Sequence, residues 1–507
     1  PTHAYALDLD LFGEQSLFQS LNRTATPHGC KLLADWLLNP ELDDQRILAR
    51  QQAAAELSNK PEWMLIFQAT GLIHSITEQD NKIAQEWLQE PSFFHNSHAK
   101  KVLYLSNGIC ILLWILTILS VIPYGYALCA FFVQLSVLAY YLKRINRISK
   151  ITDRFSKVIG THNHLVKQIV NTPFSSPELQ QLQQTLIGTI PADKALRSLN
   201  RILDSFDQRN NVLVALVMNG LYLKDLHHII QFDRWRETHR KQVTSWFDTI
   251  HQFDALTSMG FYRYNHPTYC TPTISNQHLL HTEEMGHPLL PANGKVCNDF
   301  EVSALHDIYI VTGANMAGKS VILKTVALAQ TLFQFGFYVP AEQAEIALVD
   351  EVLLCIGDEQ SELNGLSSYA SEMLRVNAIV QDVKAGKNAL ILIDELARTT
   401  NPTEGKAIVN AMLDFLTDKG ARSLITSHYS GIKARCKKMR VKGFVKEHVK
   451  GLLTINNINE FIDYSLIEDT HDSVPQEAMR IARILGVDEE LLDKAEEFLD
   501  DEEKNRN

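Results

Sequence analysis

The residues best suited to chemistry lie in one short stretch. Gly313, Ala314, Asn315, Met316, Ala317, Gly318, Lys319 and Ser320 fit the pattern G-x-x-x-x-G-K-[ST] without a mismatch. Each residue type has a physical reason to be there. Glycines let successive backbone amides close around phosphate oxygens. The lysine is long enough to reach the β- and γ-phosphates of ATP, and the serine hydroxyl can bind Mg²⁺. The apolar run Ile308 to Val311 predicts a buried strand before the loop. The segment from Val321 to Phe335 predicts a helix after it, whose positive end would face the anion. A chance match in a Gly-rich turn is the competing reading, and the strand and helix on either side argue against it.

Two later strands end in residues that suit the same chemistry. Leu390 to Ile393 is apolar and runs into Asp394 and Glu395. Adjacent buried acids are unfavourable unless a cation or reacting water uses them. Asp394 is therefore expected to hold Mg²⁺, and Glu395 to polarise the attacking water. Leu424 to Ser427 is followed by His428, expected to sense the γ-phosphate. Ahead of both strands, Ser367 and Ser368 sit where hydroxyls and helix-start amides could meet a phosphate or simply cap a helix.

The elements that must position these groups follow from the rest of the chain. At 507 residues there is room for about three domains. With 45% hydrophobic and 21% charged residues, it is an ordinary folded chain. A net charge of −11 excludes a global attraction to nucleic acid, so contact with DNA would need a local basic surface. Lys433 to Lys450 is the most basic stretch, read first as a solvated face. The seven cysteines form no C-x-x-C pair, which suits a reducing compartment and neither a zinc site nor a disulfide framework. No cleavable signal peptide is visible at Pro1.

Val102 to Leu142 contains no Asp, Glu, Lys, Arg or His, and Pro123-Tyr124-Gly125 splits it into two arms. Lysines and arginines flank both ends, which predicts a transmembrane hairpin with both ends cytoplasmic. A pair of buried helices in a soluble core is the competing reading. Elsewhere, residues 4–60 and 151–256 carry helical periodicity. Leu199, Ile202, Leu203 and Phe206 form one apolar stripe, and Trp235, His239, Trp246, Ile250 and Phe253 another, both read as core.

Taken in order, these motifs resemble the MutS family. The resemblance is carried by Thr26-Pro27 and Trp36-Leu37 near the start, and by His287-Pro288 and Asn298-Asp299. The phosphate loop, Gln334 to Ala341, Ser367 to Met373, Asp394-Glu395 and Thr426 to Tyr429 carry it further. Ala397 and Thr399 stand where the family pattern G-R-G-T-S has glycines. The resemblance implies an α/β ABC-type P-loop ATPase domain, residues 259–470, joined to an all-α core and lever domain. The core would comprise 1–101 and 143–258, interrupted by the hairpin at 102–142, with a helical dimerisation segment at 471–507.

It further implies a homodimer using ATP and Mg²⁺, with Lys319, Glu395 and His428 catalytic. Gly313 to Val321 would bind nucleotide, and Ser367 and Ser368 would face the nucleotide of the opposite subunit. Ser320 and Asp394 would bind the metal. Two clients stay open. One is mismatched or structured DNA, as in mismatch repair, although the family's mismatch-recognition domain is absent. The wording Asp394 to Gly405 also resembles ATPases that reactivate cobalamin-dependent amino-acid mutases such as lysine 5,6-aminomutase. Either way the ATPase is expected on the cytoplasmic face of the cell membrane.

Overall fold

The computed structural model describes residues 5–73, 77–89, 97–207, 212–276, 278–291, 295–303, 308–313, 318–356, 368–398, 400–444, 462–469, 479, 482–483 and 486–506. The chain divides into two compact units. One comprises Asn22–Leu33 and Gln52–Tyr264, and the other Pro1–Leu21, Ala34–Gln51 and Asn265–Asn507. The stretch 1–101, expected as one part of a helical domain, is thus shared between both units.

In chain order the helices are α1 (Leu17–Leu21), α2 (Pro27–Leu38), α3 (Asp44–Ser58), α4 (Pro61–Leu72), α5 (Glu78–Gln89), α6 (Ser97–Ile118), α7 (Tyr124–Val170), α8 (Pro177–Ile187), α9 (Ala192–Asp207), α10 (Val212–Tyr222) and α11 (Lys224–Asn265). After them come α12 (Lys319–Gln334), α13 (Ser368–Lys384), α14 (Pro402–Asp418) and α15 (Glu489–Arg506).

In the helical unit, the expected helix start at Thr26-Pro27 is where α2 begins. Proline suits the first helical position because its missing N–H needs no partner there. The Thr26 hydroxyl accepts from the Gly29 amide at 3.0 Å. Asp254, on the long helix α11, completes the cap. Its carboxylate accepts from the Ala25 amide at 2.9 Å, the Thr26 amide at 2.8 Å and the Thr26 hydroxyl at 2.6 Å. Burial pushes the Asp254 carboxyl up to about 6, against the downward pull of these donors. Gly29 is fitted to this arrangement, since a Cβ there would lie 2.2 Å from Asp254 Oδ2. Gly29→Ala is expected to force Asp254 off its donors and destabilise the protein by roughly 2 kcal/mol or more. Denaturant unfolding of the two proteins measures this.

Most of the predicted stripes is core, with Ile202 and His239 half-buried and the Phe206 side chain outside the described ones. Leu199, Leu203, Trp235, Trp246, Ile250 and Phe253 are all buried. The apolar hairpin is different. Lys100–Ile118 and Tyr124–Lys143 are 19 and 20 residues long, yet only 17% and 11% of these windows are buried. The helices pack on each other and leave apolar side chains such as Ile111, Leu119 and Phe132 exposed.

Among the described residues, the other unit holds ten strands: β1 (Thr273–Ile274), β2 (His278–Met285), β3 (Asn298–Ser303), β4 (Ile308–Thr312), β5 (Gln343–Ile346), β6 (Glu351–Cys355), β7 (Ala389–Ile393), β8 (Arg422–Ser427), β9 (Lys437–Phe444) and β10 (Ile462–Glu468). They form a four-stranded sheet, β1-β5-β2-β3, and a six-stranded sheet, β10-β9-β4-β8-β7-β6. In the larger sheet β9, β4, β8, β7 and β6 are parallel, and only β10 runs antiparallel, beside β9. Every residue of β4 and β7 is buried, as expected of central parallel strands covered on both faces.

The parallel arrangement brings the C-terminal ends of β4, β7 and β8 to one edge. The chain leaves β4, skips two strand positions and returns at β6, which makes a crevice where ligands bind in such sheets. Buried glutamines fix the helix after β4. Gln330 donates to the Ala347 carbonyl and Gln334 to the Val349 carbonyl, both at 2.8 Å. The expected Gly turn ends that helix, with Gly336 at φ +82°, where a Cβ would lie 2.9 Å from Arg50 Cβ and 3.0 Å from the Ile47 carbonyl.

Candidate functional site

β4 delivers Thr312 and Gly313 to the sheet edge, and α12 starts at Lys319. Gly313 and Gly318 have φ of +147° and +81°, values that a side chain disfavours. Ala314, Asn315, Met316 and Ala317 lie outside the described residues, as does Ser367. Ser368 opens α13, and Val321 is exposed on the first turn of α12.

Lys319 is 2% exposed. A buried ammonium needs partners, and Gly313 and Glu395 are among them. It donates to the Gly313 carbonyl at 2.8 Å and pairs with Glu395 Oε1 at 3.1 Å. The second Glu395 oxygen meets Arg398 at 3.3 Å. Burial pushes the Glu395 carboxyl up, but Lys319, aided by Arg398, outweighs it and holds the group below the usual carboxylate range. Glu395 is therefore ionised at neutral pH.

Asp394 is pinned by two hydroxyls. Ser320 donates to its Oδ2 and Thr426 to its Oδ1, each at 2.5 Å. Thr426 also accepts from the Glu395 amide at 2.8 Å. One threonine at the end of β8 thus orients both acids at the end of β7. Its motif was visible in the sequence, but this role was not, because it depends on the pairing of β7 with β8.

His428 follows β8. Burial lowers its pKa, Glu395 acts against that, and Lys319 and Arg398 reinforce it. The imidazole is neutral at pH 7, and its buried Nδ1 has no hydrogen-bond partner among the described residues. A neutral imidazole close to Lys319, Glu395 and Arg398 is placed to exchange hydrogen bonds at the site rather than to add charge.

The loop after Glu395 explains the glycine pattern noted in the sequence. Glu395 and Ala397 have φ of +45° and +61°, the left-handed region. Glycine adopts this freely, whereas alanine is strained there. The strain is held by bonds at both ends of Ala397. Its amide donates to Glu372 at 2.6 Å, and its carbonyl accepts from the Tyr429 hydroxyl at 2.8 Å. Glu372 thereby ties the first turns of α13 to the loop after β7, a role the sequence reading did not assign. Ala397→Gly is expected to leave the site intact and raise stability by up to about 1 kcal/mol. Thermal unfolding checks it.

A tyrosine from the strand at the sheet edge also reaches the loop. A Cβ at Gly318 would lie 3.0 Å from the Tyr464 ring of β10. Asn298 of β3 holds that strand, donating to the Tyr464 carbonyl at 3.3 Å and accepting from the Leu466 amide at 2.8 Å.

The site's composition and order can be compared with known proteins. The family model for MutS domain III matches residues 6–373, more than half of the chain. The chain belongs to the MutS family. A second MutS model, domain V, matches residues 309–502, the stretch that supplies Lys319, Asp394, Glu395 and His428. Similar MutS-family proteins include the Endonuclease MutS2 of Fusobacterium nucleatum, 34% identical over 237 residues. That match covers 46% of this chain and 29% of the relative. The Endonuclease MutS2 of Shouchella clausii is 32% identical over 50% of this chain and 31% of its own length. That of Thermus thermophilus is 35% identical over 42% and 27%. The match therefore spans less than a third of each of these relatives. The aminomutase-reactivating branch finds no support among them.

Proposed function

We propose that this MutS-family chain hydrolyses ATP at the site built around Lys319, works as a dimer on DNA, and is anchored to a membrane by residues 102–142. The observation that carries the ATPase reading is the meeting of Lys319, Ser320, Asp394 and Glu395 at the ends of two parallel strands. The donor set of Ser320 and Asp394 consists of hard oxygens, which suits Mg²⁺. These two residues would hold the ion, which would supply charge neutralisation at the β- and γ-phosphates.

The chain's own residues account for the switch. Without nucleotide, Glu395 neutralises the buried Lys319. When Lys319 turns to the phosphates, it gives up Glu395. The carboxylate is then free to accept a proton from the attacking water. Arg398 and the Glu395 amide bond to Thr426 keep it in place meanwhile. His428, neutral and close by, would register the γ-phosphate through a hydrogen bond.

DNA as the client is supported by the endonuclease name of the relatives. With the net charge at −11, it would need a local surface, and Lys438, Arg440 and Lys442, which share one face of β9, are the candidates for it. The membrane reading is supported by helix lengths of roughly 30 Å and by low burial. Exposed tyrosines also mark both ends. Tyr104 and Tyr140 lie near the basic flanks, and Tyr124 and Tyr126 at the far turn, as in interfacial aromatic belts.

Dimer function rests on the family role of Ser367 and Ser368, which would complete the partner's site. ATP between two subunits would favour the closed state, because only differential affinity drives such a change. Mixing Lys319→Ala with Ser367→Arg subunits tests this. In the heterodimer one composite site carries both lesions and the other neither, so part of the activity should return. A mixture as inactive as its parents, with subunit exchange demonstrated, would sink the composite site.

A further inference from the structure

The apolar hairpin has a third companion. Helix α10 is almost entirely apolar and packs against both α6 and α7. The contact is close. A Cβ at Gly220 would lie 2.1 Å from the Phe131 ring, and Cys110 donates to the Gly220 carbonyl at 3.7 Å. Yet the other side of α10 exposes Val214, Leu216, Val217 and Met218 at 36–49%. A water-facing helix would not present these side chains together.

Its depth follows from its partners. Cys110 lies about 15 Å along its helix from Lys100, near half the thickness of a bilayer's hydrocarbon core. Gly220 is level with Cys110. From there the chain turns through Leu223, which is buried and at φ +53°. The Asn219 side chain accepts from the Asp225 amide at 2.9 Å and starts the next helix. That helix heads back toward the basic end. Its His227 meets Asn107 at 3.3 Å and the edge of Tyr104, and His228 meets Ser205 of α9 at 2.8 Å. An 11-residue helix is about 16 Å long, enough to descend from the level of α9 to that of Cys110 and no further.

We infer that α10, the Leu223 turn and the first turn of α11 form a re-entrant element that dips halfway into the bilayer beside the hairpin. Its exposed face is covered by lipid acyl chains. The inference rests on the membrane reading of residues 102–142 and adds a third element to it. Non-helical backbone is tolerated at such depth only where protein buries it, and Leu223 is fully buried. Asn107, Gln134, Asn219 and Asp225 are buried there as well, and Lys224 is half-buried. Gln134 donates to Asn107 at 3.1 Å, and Asn107 in turn meets His227, so a polar seam holds the two elements in register.

Photo-crosslinking of the full chain in vesicles of phosphatidylcholine and phosphatidylglycerol tests the inference. A benzophenone amino acid is placed at Val217, with Leu216 substituted in parallel, at Ile111 on α6 and at Gln181 on α8. The expected result is lipid adduct at 217 and 216 comparable with that at 111, and none at 181. Adduct at 111 but at neither 216 nor 217 would overturn the re-entrant element and leave the hairpin standing. Absence of lipid adduct at all positions would overturn both. A protein–protein adduct of twice the chain mass at 217 would assign the face to a second copy and reject lipid.

Discussion

ATP turnover by the Glu395→Gln variant is expected to fall by about 10²-fold or more, while nucleotide binding persists. Two consequences of one substitution make this informative. The amide cannot take a proton from water, so the chemical step is lost. It also cannot neutralise Lys319, whose ammonium is 2% exposed and 3.1 Å from the Glu395 carboxylate. Without nucleotide the variant leaves a buried cation short of its partner, and it should be less stable than the parent. Phosphates then meet a lysine with no competing carboxylate, so nucleotide should bind at least as tightly as before.

Thermal shift with and without ATP reads the second effect, and phosphate release reads the first. Lys319→Ala makes the opposite pattern. It should weaken binding and leave Glu395 with Arg398 alone. Undiminished turnover in Glu395→Gln would remove Glu395 from the role of base.

Residues 102–142 are expected to keep the full chain in the membrane fraction through high salt and alkali, with release only by detergent. The free energy behind this is large. Two apolar helices of 19 and 20 residues transfer into a bilayer with a gain on the order of 10 kcal/mol, far above what surface charge supplies. A native residue gives a local readout. Cys129 is exposed on α7 and faces away from the protein. In detergent-free vesicles it should resist a membrane-impermeant maleimide, and after solubilisation in a small detergent it should become more reactive. Equal labelling in intact vesicles and detergent, located by peptide mapping, would show the helix to be in water. Deleting the hairpin is a less clean test, because it would also strip α10 of Phe131 and Cys110.

Much of the site was legible in the amino-acid sequence because its elements are local. A phosphate-binding loop needs a strand before it, glycines within it and a helix after it, and all three are contiguous around Lys319. The apolar strand ending in Asp394 and Glu395 is contiguous in the same way. The long uncharged run at 102–142 needs no partner to be noticed. The apolar stripes of α9 and α11 likewise announce a buried face by spacing alone.

What depends on contacts far apart in the chain was decided only by the tertiary structure. The pairing of Lys319 with Glu395, and the use of Thr426 to orient both acids, follow from strand order, which periodicity does not encode. The left-handed backbone at Ala397 makes the family's glycine intelligible, but the letter alone could not show that Glu372 and Tyr429 hold alanine there. Helical spacing in residues 4–60 identified helices without saying which core they join, since amphipathicity specifies a buried face and not its partner. Helix α10 escaped notice because 11 residues cannot cross a bilayer. Only its packing on Phe131 and Cys110 gives it a depth.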